Sequence, residues 1–406
     1  MSLSQIIREE LLELGWRQNW WAVIFAVIAV SPAIGAIPNT QSLYYIALFI
    51  CFLGVVSRRT TLCALMAFVL IAGALSILVS NPPSFFHSWL RFGLFCLVAI
   101  TASPLVQSPE IRSFRFATLI TMLKLCVLIG VISFIFYFMG INYMQDIYEV
   151  GYLESAGLFG GITRQSMLLG PMCGLASIYL IYKALKTRAI WYWIAAIPCI
   201  GCVLFAASRS AFIALIIGVL ATVCLSAKSL RNLTRILFGL LLVGMLSFPM
   251  WRSALSGLEE KQRRNIDNGS LTISRNDKWA NRIEEFSAKP IFGIGFGACD
   301  LNNKQDYSVA TGTVEPGSSW LGVLSMTGLM GFIPLMLLVI ASFRNAINVR
   351  SDDAALLMGL LVFISIHMAA EGYLIAGGSQ LCILAWLIIS CCYDIKYRRA
   401  SRVESI

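Results

Sequence analysis

Residues 190–226 read IWYWIAAIPCIGCVLFAASRSAFIALIIGVLATVCLS, two apolar runs separated by a short polar turn whose one charge is Arg209. Runs approaching twenty apolar residues, at about 1.5 Å each, are long enough to cross a hydrocarbon core. The same pattern extends in both directions. The chain of 406 residues is 58% hydrophobic and only 13% charged, where a soluble domain has roughly 45–50% apolar and about 25% charged residues. Spans are expected near residues 20–37, 42–56, 61–79, 86–104, 117–139, 166–183, 190–207, 210–226, 234–250, 319–343, 354–371 and 374–394. The fold class read from this is all-α, a polytopic integral membrane protein of about twelve transmembrane helices.

The spans divide the chain into a cytoplasmic amphipathic segment (1–18), nine spans (19–250), a large polar loop (251–318), three spans (319–394) and a basic tail (395–406). In the first segment Ile6, Ile7, Leu11, Leu12 and Leu14 alternate with Glu9, Glu10 and Arg17 as in a helix lying on a membrane face. The long, mixed-charge stretch from Ser2 to Asn19 does not read as a cleavable signal. Orientation follows from short loops. Arg58-Arg59, Arg112 with Arg115, Lys183/Lys186/Arg188, Lys228/Arg231/Arg235, Arg344/Arg350 and Lys396/Arg398/Arg399 fall on one side, and the turns around Pro38, Pro82 and Gly372 carry almost none. That asymmetry puts both termini in the cytoplasm and the loops 140–165 and 251–318 outside it. The net charge of +10 therefore serves topology, and nucleic acid is not expected as a partner.

Chemistry is expected in the large loop. Ile273, Trp279, Ile283 and Phe286 recur at helical spacing with Arg275, Lys278, Arg282 and Glu285 between them, so 271–287 reads as an amphipathic helix resting on the membrane or the bundle. Pro290 ends it, and Gly293-Ile294-Gly295-Phe296-Gly297 forms a tight turn. That glycine run follows no strand of a βαβ unit, so no dinucleotide cofactor is expected. Two histidines, His87 and His367, are too few for a histidine metal site, and no metal is expected. Eleven of the twelve cysteines sit in apolar spans; Cys299 alone lies in the loop.

Arginines on the outer side stand out: Arg164 just before a span, Arg209 in its turn, and Arg275 and Arg282 on successive turns of the loop helix. Arginine stays charged and binds phosphate oxygens bidentately, so several at one surface could hold a lipid-linked pyrophosphate. The alternative is snorkelling or pairing with Asp277, Glu284 or Glu285. Arg209, at a span end with no acid nearby in sequence, favours function. Among the acids, Glu315 before Pro316-Gly317-Ser318-Ser319 and Glu371 beside Tyr373 sit at span mouths. Glu315 reads either as a general base taking a proton from a sugar hydroxyl or as a cap or ion pair; Glu371 leans toward a structural role.

Four features resemble the O-antigen ligase and polymerase superfamily of bacterial envelope glycosyltransferases. They are Ser208-Arg209-Ser210-Ala211-Phe212 at a span opening, Arg275-x-x-x-Trp279 followed by Pro290-Ile291-Phe292-Gly293-Ile294-Gly295-Phe296-Gly297, the stretch from Ser319-Trp320-Leu321 to Gly328-Leu329-Met330-Gly331, and one long loop near the three-quarter point of the spans. The resemblance covers about residues 155–375. It implies a GT-C-like, metal-independent, inverting transferase of the bacterial inner membrane, needing no cofactor. The donor it implies is an undecaprenyl-pyrophosphate-linked glycan, with Arg209 and Arg275 on the pyrophosphate and Arg164, Arg282, Trp279, Ser318, Ser319, Glu371 and Tyr373 around the substrates. Ligases of the family carry a histidine at the loop's end, where this chain has Gly317-Ser318-Ser319. That departure points to a polymerase of lipid-linked repeat units (O-antigen, capsule or exopolysaccharide), with Glu315 as substitute base. The alternative is an O-antigen ligase acting on lipid A core, and a third reading is a transporter. A flippase and a chain-length regulator are the partners the family implies.

Overall fold

The computed structural model describes residues 16–37, 40–56, 60–144, 159–227, 234, 273–349 and 352–403. The surface helix expected around Ile6 to Leu14, the ninth span beyond Thr234 and the loop as far as residue 272 lie outside them. The chain divides into two units, residues 1–40, 117–271 and 349–367 in one and 41–116, 272–348 and 368–406 in the other.

The first unit holds α1 (Trp16–Val30), most of α5 (Pro109–Met139), α6 (Ser166–Thr187), α7 (Ile190–Phe205), α8 (Arg209–Ser226) and most of α11 (Asp352–Ala370). Its axis is α6, 89% buried over its apolar window, with α7 and α8 against it. Close approach needs small residues, since lipid tails are as apolar as leucine and only packing draws helices together. A Cβ on Gly170 would lie 3.0 Å from the Ser208 Cβ, and one on Gly218 would lie 2.9 Å from the Gly359 carbonyl. His367 is buried and stacked on Phe363, as a packing residue.

The second unit holds α2 (Gln41–Val56), α3 (Ala64–Ser80), α4 (Ser88–Ala102), the start of α5, the loop helix α9 (Ile273–Ala288), α10 (Ser319–Asn348) and α12 (Gln380–Val403). A two-residue antiparallel ladder joins β1 (Thr61–Leu62) to β2 (Val106–Gln107). α10 packs against α3, α9 and α12. Buried charge here is paired, as it must be in a low dielectric. Arg115, fully buried, meets Asp394 at 3.6 Å and donates to the carbonyls of Thr101 and Val106.

One departure from ideal helix positions the site. α10 breaks at Gly328 (φ 62°, ψ −164°), leaving main-chain groups on either side without helical partners. The 290–295 segment fills them. Ile294 and Gly295 donate to the carbonyls of Ser325 and Met326 (2.9 and 3.2 Å), while Leu329 and Met330 donate to those of Pro290 and Ile291 (2.9 and 3.2 Å). Irregular backbone is tolerated at such depth only when protein satisfies it, and the glycine run is what lets a second strand of chain lie this close.

Among the described residues, seven helices are long and apolar enough to cross a membrane, and four shorter apolar helices (α1, α2, α3 and α7) accompany them. The chain is thus a polytopic, mostly helical membrane protein. The shorter helices, at about 1.5 Å per residue, fall a few ångströms short of a ~30 Å core. The loop helix lies over Ile273–Ala288, and its apolar period is split: Trp279 and Phe286 are half-buried while Ile283 is exposed. Ile283 is 52% exposed, whereas Arg282 and Glu285 are buried. A buried ion pair, Arg282 with Glu285, shares the protein side with Trp279 and Phe286.

Candidate functional site

The face of α9 turned into its unit carries Arg275, Lys278, Trp279 and Arg282, at positions i, i+3, i+4 and i+7 of one helical stripe. Arg275 uses its two terminal nitrogens on two carboxylates: Nη2 is 2.7 Å from Glu371 and Nη1 is 3.3 Å from Glu315. The Lys278 ammonium, 2.5 Å from the second Glu315 oxygen, completes a chain of alternating charge. These side chains are graded in exposure. Glu371, Lys278 and Arg275 are 16%, 18% and 20% exposed, and Glu315 is 53% exposed. Trp279 donates its indole N–H to the Gly317 carbonyl at 3.2 Å, which fixes the chain just after Glu315.

Ser318 and Ser319 brace this cluster from beneath. Both are buried. The Ser319 hydroxyl donates to the Glu371 carbonyl (2.7 Å) and accepts from the Tyr373 and Leu374 amides (3.0 and 3.2 Å). The Ser318 hydroxyl donates to the Met368 carbonyl (3.3 Å) and caps α10 by accepting from Leu321 (3.4 Å). Together they tie the start of α10 to the 371–374 turn, and so set the distance between Glu371 and Arg275. Tyr373 is buried beside them.

Arg282 is enclosed. Its guanidinium lies 3.0 Å from Glu285 and 2.8 Å from Asp306, with all three side chains essentially inaccessible. Burial pushes the Glu285 carboxyl above its usual range, against the pull of Arg282. Asp306 accepts from Asn281 as well (3.0 Å), and its own carbonyl accepts from the Glu315 amide (2.8 Å). One residue therefore holds α9 by its side chain and Glu315 by its main chain. Cys299 packs beside this clamp with Phe86 and Ala298, and burial pushes its thiol up to about 12. Asp306→Ala should cost about 3 kcal/mol by stranding buried Arg282 and should raise the maleimide labelling rate of Cys299 at neutral pH. An unchanged rate would show that Asp306 does not clamp the loop.

The other two arginines lie in the first unit. Arg164 spends its guanidinium on the Ile34 and Ile37 carbonyls (3.4 and 3.1 Å). Arg209 is the first residue of α8, after Ser208, whose hydroxyl accepts from Ala211. The structure thus brings Arg275, Trp279, Arg282, Glu315, Ser318, Ser319, Glu371 and Tyr373 into one unit, with Arg164 and Arg209 in the other. Two members of the cluster are not among the site residues read from the sequence. Lys278 is placed on the loop helix as the i+3 neighbour of Arg275 without a role, whereas nothing local marks Asp306.

Residues 194–336 match the family model described as O-Antigen ligase. The match contains Arg209, the whole of α9, the glycine run, Glu315 and the α10 break. Over this segment the chain is similar to that family. No curated protein matches the chain.

Proposed function

We propose that the protein is an inner-membrane glycosyltransferase that polymerises undecaprenyl-pyrophosphate-linked repeat units of O-antigen, capsule or exopolysaccharide on the outer face, with both termini in the cytoplasm. The observation that carries this reading is Arg275 held between Glu371 and the more exposed Glu315, with Lys278 alongside. Such a cluster offers fixed positive charge for a diphosphate and a carboxylate next to it for a sugar hydroxyl. In the reaction proposed, Glu315 takes the proton of the acceptor hydroxyl as its oxygen attacks the anomeric carbon of the donor glycan. The bond from that carbon to the diphosphate oxygen breaks, and the leaving polyprenyl diphosphate carries the electron pair, its charge met by Arg275. One displacement inverts the anomeric centre, and the protein cations take the part a metal would otherwise play. The GT-C-like architecture of about twelve spans belongs to the same proposal.

Arg209 is proposed as a phosphate-binding residue on separate grounds: it opens α8 within Ser208-Arg209-Ser210, the stretch that resembles the family's motif, and a guanidinium binds phosphate oxygens bidentately. Ser318, Ser319 and Tyr373 are assigned to holding Glu371, and Arg282 to holding Asp306; Arg164 and Trp279 position backbone. A flippase supplying substrate and a chain-length regulator are the partners expected.

A second reading, ligase, is favoured by the description of the matching family, whereas the Gly317-Ser318-Ser319 sequence in place of a histidine favours the polymerase. The glycan profile of cells lacking the protein separates them. Lipid A core or carrier bearing a single repeat, restored to long chains on re-expression, is the expected result. Long chains retained on the carrier with none on lipid A core would overturn the polymerase in favour of the ligase.

A further inference from the structure

Glu315 sits where an anionic ligand of the two cations would sit. Its two carboxylate oxygens are divided between Arg275 (3.3 Å) and Lys278 (2.5 Å), and its side chain is 53% exposed. Glu371, on the other arm of Arg275, is 16% exposed and lies in the turn that Ser319 braces. The two acids are therefore unequal. An exposed pair is worth about 0–1 kcal/mol, while a diphosphate brings more negative oxygens and can take several charge-assisted hydrogen bonds at once. The main chain of Glu315 is fixed at Asp306 and that of Gly317 at Trp279, so exchange requires only a side-chain rotation.

We infer that Glu315 is an internal counter-ion of the resting site, displaced from Arg275 and Lys278 by the donor's diphosphate, so that the carboxylate is free to act as base only once donor is bound. Lys278 is thereby assigned as the second diphosphate-binding cation. The inference rests on the diphosphate reading of Arg275. It gives the site an order of events: without donor, the two cations hold the base, and an acceptor arriving first meets no free carboxylate.

The test is equilibrium binding of inorganic pyrophosphate to the full-length chain in neutral-lipid nanodiscs, by titration calorimetry. Glu315→Gln removes the competing charge at nearly constant shape and should bind about three- to tenfold tighter, the ratio set by releasing ~0.6–1.4 kcal/mol of ion pairing. Lys278→Met should weaken binding about tenfold, and combining the two should shrink the gain from Gln, since the substitutions share one interaction. Unchanged affinity in Glu315→Gln, with Arg275→Ala weakened, overturns the displacement and leaves the Arg275 reading standing. Absence of pyrophosphate binding in every form, wild type included, removes the diphosphate reading and this inference with it.

Discussion

Arg275→Ala should lower glycan assembly by about 10²–10³-fold, the loss expected when one preorganised charge donor to a developing anion is removed, in membranes that still contain normal amounts of the protein. The separation of activity from abundance comes from where Arg275 sits. It is 20% exposed and its two partners are surface-reaching carboxylates, so its loss strands no deeply buried charge. Arg282, two turns further along the same stripe, is the contrast: inaccessible and paired twice, its loss should lower abundance first. Arg275→Lys sharpens the prediction. An ammonium keeps the charge but lacks the planar fork by which Arg275 directs one nitrogen to Glu371 and the other to Glu315, so it should recover only part of the activity. Glycan profiling beside an immunoblot of membrane fractions reads both quantities. Full activity in Arg275→Ala would end its assignment to the diphosphate.

The sequence shows the membrane class, the loop helix and most of the chemically capable side chains, because each is written in a local pattern. Apolar run length gives the spans, and Pro290 two residues past Ala288 gives the helix end. Arg275 is legible as a charge on the loop helix, and Glu315 and Glu371 as charges at span mouths. Their meeting is not. The acids stand 40 and 96 positions from the arginine they share, and no periodicity spans such distances. The orientation of α9 misleads for a different reason. Hydrophobic period assumes that charge faces out, but Arg282 and Glu285, an i,i+3 ion pair closed by Asp306, are buried. Ile283 is left exposed, on the side where a membrane surface would meet it. Span length is the least local of these properties: among the described residues seven helices are long enough to cross a membrane, whereas Ile190–Phe205 and its short companions are apolar yet shorter than a bilayer.

The α10 break is the feature least visible in advance and the one whose removal should cost most. Gly328-Leu329-Met330-Gly331 reads as the middle of an apolar helix, yet Gly328 adopts φ 62°, ψ −164°, a region that residues with a Cβ enter at a cost of about 1–3 kcal/mol. The space is closed as well. A Cβ there would lie 2.3 Å from the Ile291 carbonyl oxygen and 2.5 Å from its carbon, both main-chain atoms that cannot rotate aside, and overpacking of that kind costs about 1–3 kcal/mol more. Gly328→Ala should therefore destabilise by roughly 2–6 kcal/mol, the sum of those two contributions. Yielding would also loosen the four backbone hydrogen bonds that dock 290–295 on α10. That docking fixes the C-terminal side of α9 and, through it, the register of Arg275 against Glu371. The expected result is loss of most protein from the membrane, with thermal unfolding of the remainder shifted down by many degrees. Gly93→Ala is the matched control, a glycine inside α4 with nothing within 4 Å of the added Cβ, where alanine should stabilise the helix by up to about 1 kcal/mol. Equal melting of the two variants would mean that the break at Gly328 is not required, and that 290–295 is held by its side chains alone.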